Sequence, residues 1–199
     1  AGDVQWMTAG SGVVHSEMPE ENFREQGGRL NGFQLWVNLP KSDKMTAPRY
    51  QDTLSANIPV YESEDKSVWV KVIAGNSMGK KAVISTHIPI LYLHVILQPG
   101  ACFSQAVPMA HTALAYVISG QGKFAEKIAE PDQLVIFASS DSQESETIEF
   151  TAEGNQPLSV LLIAGQPINE PIARYGPFVM NYQAEIKQAL VDYQEGRMG

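Results

Sequence analysis

Between Ile58 and Pro167 the chain repeats one pattern. Short runs rich in β-branched, aromatic and aliphatic residues each end at Gly, Pro or a polar stop. The runs are "IPVYES", "SVWVKVIAG", "PILYLHVILQPG", "TALAYVISGQGKF", "DQLVIFAS", "ETIEFTAEG" and "PLSVLLIAGQP". Several alternate apolar and polar residues, the period of a strand with one face buried. Their spacing of roughly 8–15 residues predicts an all-β sandwich or closed jelly roll. With 44% hydrophobic residues a core can form, and with only 18% charged the chain is not of the disordered class.

The flanks read differently. "VQWMTAGSGVVHSEMP" predicts two short strands around a turn at Gly10-Ser11-Gly12, and "EENFREQGGR" a polar loop. "LNGFQLWVNLP" predicts a strand with Phe33, Leu35 and Val37 on one face, ended by Pro40. The polar "KSDKMTAPRYQD" reads as a linker, with a domain boundary over residues 41–55. Near the C-terminus Ile186, Ala189, Leu190 and Tyr193 recur at helical spacing. They predict an amphipathic helix packed on the β body, with Asn181 as N-cap, Glu185 in its first turn and Gly196 as its stop. The chain opens at Ala1-Gly2-Asp3, without Met, and runs straight into a strand-like segment. Such a start reads as a cut inside a folded unit.

A net charge of −8, with Lys and Arg scattered, argues against direct nucleic-acid binding. No run approaches the roughly 18 apolar residues of a membrane span, and no signal peptide is visible. The single Cys102 excludes an internal disulfide, suits a reducing compartment and reads as a buried small hydrophobe. Trp6, Trp36 and Trp69 sit in strand patterns and read as core. Gly120-Gln121-Gly122 joins two strands without a following helix, so it is a turn rather than a phosphate loop.

Chemistry concentrates at His15 and Glu17. On a strand, side chains at i and i+2 share a face, about 7 Å apart. An imidazole and a carboxylate placed so are half of a metal site or half of an acid–base pair. The remaining histidines are His87, His94 and His111. The first two are seven apart, which puts them on opposite sides of any continuous strand, and both read as structural.

Five features together resemble the pirin family, two-domain members of the cupin superfamily. They are "DVQWMTAGSGVVHSEMP", "LNGFQLWVNLP", "APRYQD", "LLIAGQPINEPIARYGPFVMN" and the closing helix. The resemblance implies two tandem cupin barrels (double-stranded β-helices, or jelly rolls) followed by a C-terminal α-helix. In that family the first barrel holds a mononuclear metal, usually iron, on three histidines and one glutamate. His15 and Glu17 match the last two ligands, and Glu17 is also the candidate catalytic base. The other two form a His-x-His pair upstream, and no His-x-His occurs in this chain. Residues 1–40 would then be the later strands of an incomplete N-terminal barrel, 41–55 a linker, 56–165 a C-terminal barrel and 166–199 an extension bearing the helix.

The second barrel's anchor is "YVISG", and counting back places its ligand positions near Val107, Met109 and Ala113. None binds hard iron, so this barrel is expected to lack metal ligands. His111 falls off that register, as a surface or rim residue. The second motif should bring a histidine in or after "QLVIFASSD", and none is there.

For function the resemblance implies an iron-dependent enzyme of quercetin 2,3-dioxygenase type, with Fe2+ or another divalent transition metal and a small aromatic substrate such as a flavonol. A second implication is an iron-dependent regulatory or transcriptional cofactor that binds protein partners, cytoplasmic, or nuclear in a eukaryote. A third is specific to this chain: with two ligands it would hold metal weakly and be inactive alone, and a homo-oligomer could cover the incomplete barrel.

Overall fold

The computed structural model describes residues 2–19, 21–138 and 146–198. The chain divides into two compact units, Ala1–Trp6 with Gln51–Pro167, and Met7–Tyr50 with Ile168–Gly199. Strands β1 (Val4–Thr8) and β2 (Arg49–Thr53) pair as a ribbon, and along each the chain passes from one unit to the other.

The first unit is all-β, as expected. Its strands are β3 (Val60–Glu62), β4 (Val68–Ala74), the short pair β5 (Asn76–Ser77) and β6 (Lys80–Lys81), β7 (Ile90–Leu97), β8 (Cys102–Val107) and β9 (Thr112–Ser119). Then follow β10 (Gln121–Phe124), β11 (Lys127–Ala129), β12 (Leu134–Ile136), β13 (Glu146–Glu153) and β14 (Leu158–Gly165). They form a six-stranded sheet in the order β12-β9-β14-β7-β4-β3 and a four-stranded sheet in the order β11-β10-β13-β8. The end of the predicted strand "DQLVIFAS", at Ser139, lies outside the described residues, as does the rest of the segment where the second cupin motif was sought.

Alternation builds this core. The larger sheet contributes Val70, Val72, Leu93, Val95, Leu97, Val117, Val160 and Leu162, all fully buried, and the smaller one Phe103, Phe124 and Phe150. Burying each such side chain contributes about 1.5–3 kcal/mol. Gly120 alone joins β9 to β10, and Gln121 and Gly122 open β10 rather than forming the expected turn; Gly120 has φ +75°, and a Cβ there would collide with the Pro157 carbonyl.

Alternate residues on the other face of the larger sheet carry polar groups. His94 and Ser159 share a hydrogen bond of 2.9 Å, and the Trp69 ring meets the His94 ring edge-on at 5.5 Å. Lys71 is buried and donates to Ser55 Oγ at 2.6 Å and to the Gly2 carbonyl at 3.1 Å. His87 sits in the exposed loop before β7, so the two histidines do not share a strand. Cys102 is exposed, contrary to expectation: it lies on the outward side of β8, where Phe103 takes the inward place.

The second unit holds α1 (Glu21–Gln26), the hairpin β15 (Ala173–Tyr175) with β16 (Phe178–Met180), and α2 (Gln183–Gln194). Several expectations are corrected here. Residues 12–19 and 30–40 form no strand, although their pattern alternates, because a strand needs a hydrogen-bonding neighbour. Leu30, Phe33, Leu35, Trp36 and Val37 are exposed, so Trp36 is not a core residue; it stacks on the Arg174 guanidinium at 5.0 Å. Trp6 and Trp69 are half-buried. The loop expected over 20–29 contains α1, and the segment read as a linker contains a 3₁₀ turn at Lys41–Asp43 and strand β2.

Helix α2 buries Ile186 and Ala189 as expected, but it packs on the β15–β16 hairpin, with Tyr193 edge-on to Phe178 at 6.5 Å. Its N-cap is Tyr182 rather than Asn181. Among the described residues no helix is long and apolar enough to cross a membrane.

Candidate functional site

The segment bearing His15 and Glu17 is fastened at its start. The Ser11 N–H donates to the Thr46 carbonyl at 2.8 Å, and the Gly12 N–H to the Ala9 carbonyl at 2.9 Å. Gly12 adopts φ +125°, and a Cβ there would lie 2.9 Å from the Met198 side chain. Beyond this turn the chain runs without regular structure, and His15 and Glu17 are both exposed. A Glu17 carboxylate oxygen accepts from Gln34 Nε2 at 2.9 Å.

Gln34 was not singled out from sequence. The link joins residues 17 apart in two segments that form neither helix nor strand, so no local pattern announces it. Its own segment is held on the far side by the Trp36–Arg174 stack and by Asn38, whose side-chain oxygen accepts from Lys44 Nζ at 2.5 Å.

Lys44 is a second residue that composition concealed. It is buried, and burial lowers its pKa while the carboxylates of Glu170 and Glu185 oppose the shift. Those carboxylates are themselves well supplied with donors. Glu170 accepts from the Lys41 N–H at 2.7 Å and from Asn181 Nδ2 at 2.9 Å. Glu185 accepts from the backbone N–H of Asn181 at 3.0 Å and of Tyr182 at 2.8 Å, which satisfies the opening turn of α2.

In the other unit, Val107, Pro108, His111, Ala113, Phe137 and Glu146 line a depression of about 260 Å³, open solvent included. Val107 and Ala113, two of the positions where cupin ligands are expected, are buried there. His111 joins them as a half-buried wall of the depression; its Nδ1 is buried without a hydrogen-bond partner among the described residues, and burial lowers the pKa of the ring. Among the described residues, no three His, Cys, Asp or Glu side chains converge in a cluster of metal-ligand type.

The sequence pattern of the pirin C-terminal cupin domain matches residues 92–199, and that of Pirin matches residues 1–37. The chain belongs to the pirin family. Pirin-1 of Arabidopsis thaliana is 44% identical over the whole chain, which covers 67% of that relative. Pirin of Homo sapiens is 39% identical over the whole chain, which covers 66% of it. The crystal structure of a quercetin 2,3-dioxygenase from Acinetobacter baumannii superposes with a TM-score of 0.86 at 37% identity, over 100% of this chain and 67% of that one. The chain thus spans about two thirds of the length of these pirin-family relatives. The cupin fold expected from the resemblance is the fold of the family.

Proposed function

We propose that this chain supplies His15 and Glu17 to a mononuclear divalent-metal centre of a complete pirin-family protein, and that the protein opens the central ring of a flavonol with O2. The observation that carries this reading is the likeness, over the whole chain, to a quercetin 2,3-dioxygenase at a TM-score of 0.86. The donors present fit such an ion in kind. Neutral imidazole and carboxylate suit Fe2+ and its neighbours. Both side chains are exposed and reachable, and one Glu17 oxygen accepts from Gln34. In number they are two, and the remaining ligands would be the His-x-His pair that the family resemblance places upstream.

When bound, the metal supplies Lewis acidity toward a substrate oxygen. His15 would serve as a neutral nitrogen donor. Glu17 would also act as the base that accepts the proton of the flavonol 3-hydroxyl. The test is O2 uptake and carbon monoxide release from quercetin by the protein extended upstream to its relatives' length and loaded with Fe2+. Turnover is expected, with His15→Ala and Glu17→Ala each weakening metal binding at least about tenfold, within the range known even for lost second-layer partners. The 199-residue chain alone is expected to bind Fe2+ weakly and to show no turnover. A rate near that of the extended protein would put the site elsewhere.

A second reading, a metal-dependent module that binds protein partners, is favoured by the exposed apolar row Leu30, Phe33, Leu35, Trp36 and Val37. The charge of −8 also suits a protein partner better than DNA. Full metal loading without O2 uptake would favour it over the enzyme.

A further inference from the structure

We propose that Gln34 is a positioning residue for Glu17: its amide N–H orients the carboxylate and selects which oxygen meets metal or substrate. This rests on the reading of Glu17 as a ligand and names a residue that the reading does not include. An ionised carboxylate can only accept, so the Gln34 group facing it at 2.9 Å must be the NH2. A neutral donor suits the task. It fixes one oxygen without cancelling the negative charge, whereas a Lys or Arg in its place would compete with a metal ion for the carboxylate.

The two partners come from separate tethers. Glu17 follows the turn held by the Thr46 carbonyl, and Gln34 precedes the Trp36–Arg174 stack and the Asn38–Lys44 hydrogen bond. Neither stands in a helix or strand, so backbone regularity does not aim the carboxylate. The hydrogen bond is what limits the three side-chain torsions of Glu17. Gln34 is exposed, so changing it removes the donor without opening a cavity.

The experiment uses the upstream-extended protein with Co2+ as probe, reading affinity by competition and ligand geometry by visible absorption. Gln34→Leu should weaken Co2+ binding about tenfold or more and shift the absorption band. In a Glu17→Ala background Gln34→Leu should change affinity by less than about twofold, because its effect passes through Glu17. If Glu17→Ala weakens Co2+ binding while Gln34→Leu does not, or if Gln34→Leu acts equally in both backgrounds, the positioning role is wrong and the ligand reading survives. If Glu17→Ala itself leaves Co2+ affinity unchanged, the ligand reading fails, and the positioning role fails with it.

Discussion

Replacing Phe150 by alanine should cost the first unit more than any exposed change on the same strand. The ring is 1% exposed and stands between two others, 5.4 Å from Phe103 and 5.0 Å from Phe124. Truncating a buried Phe costs about 3–5 kcal/mol through lost transfer energy and the cavity left behind. Each aromatic pair holds about 0.5–1.5 kcal/mol beyond area burial, and Phe150 loses two, which puts the expected cost at about 4 kcal/mol. Phe150→Leu keeps most of the volume and should cost about 1.5 kcal/mol. The preceding residue, Glu149, is exposed, and Glu149→Ala should stay within about 0.5 kcal/mol. Urea unfolding followed by tryptophan fluorescence, with Trp36 replaced by Phe, reads Trp6 and Trp69, which both belong to this unit. For a slope of about 2 kcal/mol per M the midpoint should fall by about 2 M in Phe150→Ala. A fall below about 0.5 M, or an equal fall in Glu149→Ala, would refute the assignment of faces on β13.

Two further outcomes follow from the same physics. Burial of His94, with Lys71 adding to it, lowers the ring's pKa below its ordinary 6.5. The unfolded ring therefore takes a proton that the folded one refuses. His94 contributes stability above pH 6.5 that is lost as pH falls from 6.5 toward the lowered folded value. Melting temperature against pH should lose that acid-side slope in His94→Gln; an unchanged slope would show that another group titrates there. Glu185→Ala strips the acceptor from two backbone N–H groups at the start of α2 and should cost about 1–2 kcal/mol, with Glu185→Gln costing less. Circular dichroism at the helical band during thermal unfolding would measure it, and equal losses in the two variants would contradict the capping role.

The barrel was legible because each of its strands has two neighbours or a core to decide its faces. In "ILYLHVIL" the residues Leu91, Leu93, Val95 and Leu97 turn inward and Tyr92, His94 and Ile96 do not, as period two requires. The run "LLI" in β14 is less regular, since Leu161 is buried on the face opposite Val160 and Leu162. The same alternation misled at Phe33, Leu35 and Val37, where the described residues provide no pairing strand. Strands β15 and β16 have three residues each, too few for periodicity to register. Of the candidate site, His15 and Glu17 were visible as a spacing, but Gln34 was not, because its partner is distant in sequence and the hydrogen bond leaves no repeat. Lys44 sat in a segment whose polarity suggests solvent, and the carboxylates that act on its charge, Glu170 and Glu185, come from the far end of the sequence.

That separation in sequence sets an order of events during synthesis. Met7–Tyr50 leaves the ribosome before Gln51–Pro167, but the rest of its unit, Ile168–Gly199, emerges only after the whole of that stretch. At translation speeds of 5–20 residues per second the interval is on the order of ten seconds. Throughout it the Lys44 ammonium has no carboxylate from Glu170 or Glu185 and must remain hydrated. Strands β3 to β14 of the intervening barrel pair only with one another, so the barrel is free to close on emergence. The later-emerging half thus finds its counterpart already waiting as an open chain, and a nascent polypeptide stalled before residue 168 would carry a finished barrel and an unfinished second unit.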